Sequence, residues 1–219
     1  TGNSTRGTGG YTAEQAGIVN YGISQLVNVT IADGDSFQGH VGFSNKSGAT
    51  ATLNHTTISG NQSALGSQSA GIRNESGATL TLTNSLVTGN SDFDRGTTTP
   101  ANLNKQGTLN LVGGNIIGDK YSLDGVVQSS GFSVGDVVSG GAGDNGGVVK
   151  TVLLTGNLAN PALEAATVLT ETAVGLDVDG DGTIESTPMS IDARGLSRDV
   201  DIDGSGTTPD LGAMELQSL

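Results

Sequence analysis

The twenty residues Gly71-Ile72-Arg73-Asn74-Glu75-Ser76-Gly77-Ala78-Thr79-Leu80-Thr81-Leu82-Thr83-Asn84-Ser85-Leu86-Val87-Thr88-Gly89-Asn90 decide the fold. An apolar residue two before an Asn opens the unit, a Gly turn follows, and Leu80-Thr81-Leu82 alternates with the period of a strand that has one face inward. A second short apolar step, Leu86-Val87, closes on Gly-Asn, a pair suited to the positive φ of a tight corner.

The same text recurs up and down the chain. Gly17-Ile18-Val19-Asn20, Gly42-Phe43-Ser44-Asn45 and a looser Ala101-Asn102-Leu103-Asn104 flank it at intervals of 25, 29 and 30 residues. Leu26-Val27-Asn28-Val29, Ala51-Thr52-Leu53 and Leu109-Asn110-Leu111 repeat its middle; Thr57-Ile58-Ser59-Gly60-Asn61 and Asn115-Ile116-Ile117-Gly118-Asp119 repeat its end. Fixed-period self-similarity of this kind is the signature of a solenoid. Three short strands per unit describe one turn of a parallel β-helix, with turns stacked about 4.8 Å apart. The hand expected of parallel crossovers is right. The expected interior columns are Leu53-Leu82-Leu111 and Ile58-Val87-Ile116, with Asn20, Asn45 and Asn74 as an amide ladder at one corner. Thr1-Gly2-Asn3-Ser4 repeats Thr88-Gly89-Asn90-Ser91, so the chain is expected to open at the end of a turn.

Composition agrees with this class. Of 219 residues 36 are Gly, aromatics are 3%, and Trp and Cys are absent, which excludes a disulfide scaffold and thiol chemistry. A formal charge of −13 argues against nucleic acid, whose binding needs clustered Lys and Arg. No apolar run approaches the ~20 residues of a membrane helix, so no membrane insertion is expected. The charge is uneven: residues 1–119 hold 7 acidic and 5 basic side chains, whereas 120–219 hold 15 and 4. The chain therefore divides into parallel β-helix turns over residues 1–124 and an acidic C-terminal cap over 125–219. Within the cap, Val148-Val149 with Val152-Leu153-Leu154 reads as a strand, and Pro161 to Ala166 as a short helical turn.

Two Asp-rich loops carry the candidate chemistry. In Asp199-Val200-Asp201-Ile202-Asp203-Gly204-Ser205-Gly206-Thr207-Thr208-Pro209-Asp210, carboxylates occupy positions 1, 3, 5 and 12, Ser205 adds an oxygen at 7, and Gly204 permits the sharp turn at 6. That spacing suits Ca²⁺, a hard cation taking six to eight oxygens. A second loop, Asp177-Val178-Asp179-Gly180-Asp181-Gly182-Thr183-Ile184-Glu185, repeats positions 1, 3 and 5, offers the Thr183 carbonyl and Glu185, and has Pro188 at position 12. Without a cation these carboxylates repel one another, so metal-dependent order is expected.

Four further segments occur in order: Gly143-Asp144-Asn145-Gly146-Gly147; Leu153-Leu154 through Asn160-Pro161-Ala162-Leu163-Glu164; Asp192-Ala193-Arg194-Gly195-Leu196-Ser197-Arg198; and Pro209-Asp210-Leu211-Gly212-Ala213-Met214-Glu215. Together they resemble the C-terminal signature of bacterial choice-of-anchor Q domain proteins with right-handed β-helix repeats. This chain departs from the pattern at Asn160, Glu164, Ala193 and Ser197, where Ser, Asp, Gln and Pro are usual. The resemblance implies an extracellular or cell-surface bacterial β-helix.

Catalytic readings are weaker. Proton abstraction from acidic sugars needs a base, and the turns carry few cations. Glycoside hydrolysis needs two carboxylates at a fixed separation, and Asp33 and Asp35 could meet Asp92 and Asp94 only across two turns, since both pairs follow a closing strand. His40 and His55 have no partnering pattern. The sequence therefore predicts an all-β, right-handed parallel β-helix, non-enzymatic and calcium-stabilised. It is expected to serve as a structural or adhesive module on a surface glycan or protein, with self-association through open β-helix edges, head to tail into a filament. The alternative is a carbohydrate-active β-helix enzyme or glycan-binding module.

Overall fold

The computed structural model describes residues 4–5, 17–36, 39, 42–64, 69–201 and 208–217. With 45% strand and 4% helix, the chain is a parallel β-solenoid of about three turns. A two-residue strand β1 (Ser4–Thr5) precedes the first turn, built from β2 (Ile18–Asn20), β3 (Ile23–Val27), β4 (Thr30–Ala32) and β5 (Asp35–Ser36). The second comprises β6 (Phe43–Asn45), β7 (Thr50–Asn54), β8 (Thr57–Ser59) and β9 (Gln62–Ala64). The third comprises β10 (Ile72–Asn74), β11 (Thr79–Thr88) and β12 (Ser91–Asp94). After β13 (Thr97–Pro100), a partial fourth turn follows as β14 (Leu103–Lys105) and β15 (Thr108–Ile117).

Register makes the repeats exact in space where they are ragged in sequence. Leu26, Leu53, Leu82 and Leu111 stack as one column, and Ser24, Ala51, Leu80 and Leu109 as its neighbour. A third column runs Ile18, Phe43, Ile72, Leu103. The column closing each turn is Ile31, Ile58, Val87 and Ile117, one residue later in the fourth turn than the alternation predicts. A bulge between Thr83 and Ser85 shifts the β11–β15 register, because β15 carries Gly113-Gly114 opposite the single Asn84. Ile117 therefore takes the interior place, and Ile116 turns outward.

The Asn ladder forms as expected over three turns. The Asn20 amide donates to Asn45 Oδ1 and the Asn45 amide to Asn74 Oδ1, each at 2.9 Å, and each also donates to a main-chain oxygen of the following turn. In the fourth turn the register sets Asn104 against Arg73 and Lys105 against Asn74, so Asn104 does not extend the ladder and Asn74 ends on the Thr108 carbonyl at 2.8 Å. A second ladder, invisible in the alternation, links Asn61 to Asn90 at 2.9 Å and Asn90 to Asn102 at 3.1 Å. The match of Ser4 to Ser91 also holds in register: Ser4 pairs with Asp35, Asp35 with Gln62 and Gln62 with Ser91.

The two ends differ. β2, β3 and β4 pair on one side only among the described residues. At the far end, β13 lies antiparallel on β12, and β16 (Lys120–Leu123) lies antiparallel on the second half of β15, with β17 (Val126–Ser130) beyond it. Asp124-Gly125, where the sequence places the domain boundary, is the tip of that β16–β17 hairpin.

The acidic C-terminal region follows as α1 (Val134–Val137), β18 (Val138–Gly143), β19 (Thr151–Leu154) and α2 (Glu171–Val174). Pro161 to Glu164 form a turn rather than a helix, and the exposed Val148 and Val149 precede the strand rather than joining it. This region does not sit over the last turn as an end cap. It runs along the side of the solenoid as a strap, touching Asn28 of the first turn, Thr57 of the second and Asn84 of the third. Outward-facing Leu86 and Ile116 join Val137, Val152, Leu154, Ala162, Leu211 and Met214 in a second core, separate from the solenoid interior.

Candidate metal loop and buried charge cluster

The loop at 177–185 is shaped by its glycines and by one buried acid. Thr170 caps α2 by accepting the Ala173 amide at 3.1 Å, and Gly175 ends it at φ 70°. Glu171, the first residue of α2, folds its carboxylate under the loop and accepts the amides of Val178 at 2.5 Å, Asp179 at 3.2 Å and Glu185 at 3.3 Å. Gly180 and Gly182, both at positive φ, let the chain wrap around Asp177, whose two oxygens accept their amides at 2.7 and 2.9 Å. Asp181 accepts the Thr183 amide at 2.9 Å, and the Thr183 hydroxyl donates to Glu185.

Two overlapping acid groups result. Asp177, Asp179 and Asp181 offer oxygens within 4.8 Å of one another, as do Glu171, Asp179 and Glu185. Contact with Glu171, then burial and the charge of Asp181, pushes the Glu185 carboxyl up to about 7. The same contact and the loop amides hold Glu171 below the usual carboxylate range. The donor set is entirely oxygen, which fits a hard cation. Glu171 is absent from the sequence reading because it lies six residues before the loop and is joined to it only by the fold.

The first loop fares differently. Asp199 and Asp201 are exposed, and Asp203 and Ser205 lie outside the described residues. Asp210, expected as the twelfth-position ligand, is completely buried, and its two oxygens accept the amides of Glu164 and Leu216 at 2.8 Å each. Both oxygens are committed to the strap interior, so the spacing that suggests a ligand reflects a structural carboxylate.

The four segments quoted for the family resemblance meet at one place. Arg194 binds Asp192 through Nε at 2.8 Å and Nη2 at 2.6 Å, and reaches the Asn145 carbonyl at 2.8 Å. Gly147 lies so close that a Cβ there would stand 2.5 Å from Arg194 Cβ. Arg198, fully buried, donates to Asn28 Oδ1 and the Gly212 carbonyl at 2.9 Å each and lies 3.6 Å from Glu215. Asn160 bonds the Val137 and Thr155 carbonyls at 2.9 Å each. No family model, curated protein or solved structure matches the chain. The resemblance accordingly rests on the quoted sequence segments alone.

The paired-carboxylate candidates do not converge. Asp33 is exposed and accepts the Ala142 amide at 2.7 Å, whereas Asp92 is buried and accepts the Ser63 hydroxyl at 3.1 Å two turns away. His55 is buried at the corner between β7 and β8, against Asn84 at 3.1 Å, where desolvation first and Arg198 second keep it well below the ordinary imidazole range. His40 lies outside the described residues. Among the described residues no helix is long and apolar enough to cross a membrane.

Proposed function

We propose that this chain is a non-enzymatic structural module of an extracellular or cell-surface bacterial protein. In this reading the β-solenoid is a stiff spacer, and a Ca²⁺ ion at the 177–185 loop, held by Asp177, Asp179, Asp181, Glu185, the Thr183 carbonyl and Glu171, locks the strap to its side. The observation carrying the reading is the clustering of Glu171, at the start of α2, with Asp179 and Glu185 of the loop after it, while the last residue of α2, Val174, accepts a hydrogen bond from Gln25 of β3. Cation binding would thereby be tied to strap docking. The resemblance to choice-of-anchor Q proteins supports the surface setting, and an adhesive contact with a glycan or protein is part of the same proposal.

The test is thermal unfolding with excess Ca²⁺, with Mg²⁺ and with chelator at matched ionic strength. A midpoint raised by several degrees by Ca²⁺ alone supports the reading, since a ligand at 100 times its Kd adds about 2.7 kcal/mol. Equal midpoints would reduce the loop to a hydrated turn.

Self-association belongs to the same reading, through the β2–β4 edge. From Gly17 to Ala32 this edge has no charged residue in a chain of net charge −13, and charges are the usual guard of an exposed edge. Head-to-tail filaments would have to form on β14 and the first half of β15, which are open among the described residues, because β13 and β16 already lie on β12 and on the second half of β15. Sedimentation across a hundredfold concentration range checks this, with Ile23→Lys, at a 92% exposed position, expected to abolish any association.

A carbohydrate-binding reading has one observation in its favour, a groove of about 520 Å³ between Gln25–Val29 and the strap residues Leu176–Val178 and Ile191–Gly195. Of its two carboxylates, Asp192 is held by Arg194. Glycan screening for binding and for product release separates this reading from the structural one.

A further inference from the structure

Five ionisable side chains are buried together where the strap meets the solenoid: Asp192, Arg194, Arg198, Asp210 and Glu215. Their surroundings decide which of them are charged. Asp192 binds Arg194 and accepts the amides of Arg194 at 2.7 Å and Glu215 at 3.0 Å. Asp210 has a backbone amide on each oxygen. Both are surrounded as anions, and Arg194 and Arg198 balance two negative charges.

Glu215 is the surplus carboxyl. Its Oε2 accepts the Asp210 amide at 2.8 Å and faces Arg198 at 3.6 Å, while its Oε1 is buried with no hydrogen-bond partner among the described residues. The remaining groups nearby supply no positive charge. Glu164 stands beside Asp210 as another acid, and His55, from the β7–β8 corner, is held neutral by burial and by Arg198. Three ionised carboxylates against two guanidiniums would leave one uncompensated charge out of water, which costs several kcal/mol.

We propose that Glu215 is protonated in the folded protein at neutral pH, and that this neutral carboxyl is the latch keeping the strap on the solenoid. Losing the proton puts an unbalanced anion beneath the strap and loosens residues 160–217 from the corner formed by Asn28, His55 and Asn84. Burial, followed by the charge of Asp210, pushes the Glu215 carboxyl up to about 9, and burial raises Asp210 to about 6. The sign follows: an acid that folds with a raised pKa contributes its full share of stability below its unfolded pKa, and that share is lost as pH rises towards the folded value.

The experiment is thermal unfolding of the full chain from pH 6 to pH 9 in chelator, for wild type and Glu215→Gln. The wild-type folding constant is expected to fall by up to about tenfold per pH unit relative to the variant, and at pH 9 the variant is the more stable. Parallel pH profiles for the two proteins overturn the proposal. A measurement on wild type alone guards against a variant that fails to fold. A carboxylic-acid carbonyl band in the infrared spectrum at pH 8, lost by pH 10 together with faster hydrogen exchange in the strap, supports the latch; no such band at pH 8 overturns it.

Discussion

Single residues in this fold act by repetition. Asn45 shows the logic: its amide serves Asn74 and the Thr79 carbonyl while its oxygen receives Asn20, all away from water. Asn45→Ala strands partners on both sides, and a loss of about 2–4 kcal/mol is expected in denaturant unfolding, because unpaired buried groups cost more than a hydrogen bond returns. The exposed face behaves differently. Glu75 meets Lys46 of the preceding turn at 2.9 Å, and Lys46 holds its carboxyl below the ordinary range. A lowered acid contributes stability above its unfolded pKa and loses it as pH falls through the folded value. Lys46→Ala should therefore cost no more than about 1 kcal/mol at pH 7, and the difference from wild type should shrink as pH falls through the lowered folded value. Asn45 was legible because its corner repeats; Asn61 and Asn90 repeat at 29 residues as well, but their pairing continues to Asn102, only 12 residues on, and the roles of Glu171 and Glu215 depend on folding of the non-repeating strap.

At the scale of elements, the double use of β11 and β15 separates two cores. Leu82 and Val87 point into the solenoid, whereas Leu86 and Ile116 point out under the strap. Leu86→Ala and Leu82→Ala should each cost about 2–5 kcal/mol, but by different routes. The first should release the strap, seen as faster amide exchange over residues 137–154 and 210–216 with the solenoid amides still protected. The second should lower the protection of the solenoid itself. Gly71→Ala is expected to be worse than either at its own turn, since its Cβ would stand 2.2 Å from the Asn102 carbonyl oxygen. The alternation placed the opening, middle and closing strands of the turns, but it gave three strands per turn and missed the fourth, β5 and β9 in the first two turns and β12 in the third. It also assigned Ile116 rather than Ile117 to the interior. The cause is the Gly113-Gly114 bulge: one added residue flips every side chain beyond it.

At the scale of the molecule, a repeating body is joined along its flank by a non-repeating strap, and stability is divided between them. Each solenoid turn is held only by its neighbours, while the strap reaches the first three turns through Asn28, Thr57 and Asn84. Ca²⁺ at the 177–185 loop should therefore protect the first turn as well as the loop, an effect that hydrogen exchange at Gln25 and Asn28 with and without Ca²⁺ would register. Asp177→Asn with Asp181→Asn should remove that Ca²⁺ dependence while leaving the metal-free midpoint equal or higher, because it relieves repulsion among the loop acids.

The sequence by itself determined the class of fold, the turn length, the Leu53-Leu82-Leu111 column and the first Asn ladder. Periodic alternation with Gly and Asn corners has few solutions, and stacked turns satisfy it using neighbours alone. It also marked the two Asp-rich loops and the four C-terminal segments, without saying what each acid touches. Only the tertiary structure decided that the acidic region runs beside the solenoid instead of over its end, that Asp210 is buried with an amide on each oxygen, and that Glu171 packs its carboxylate against the amides of the second loop. The physical reason is the same each time. Burial and charge balance are set by meetings of unequal and non-repeating separation, from Glu171 with Val178 to Asn84 with Thr167 and Asn28 with Arg198, and no periodic pattern encodes them.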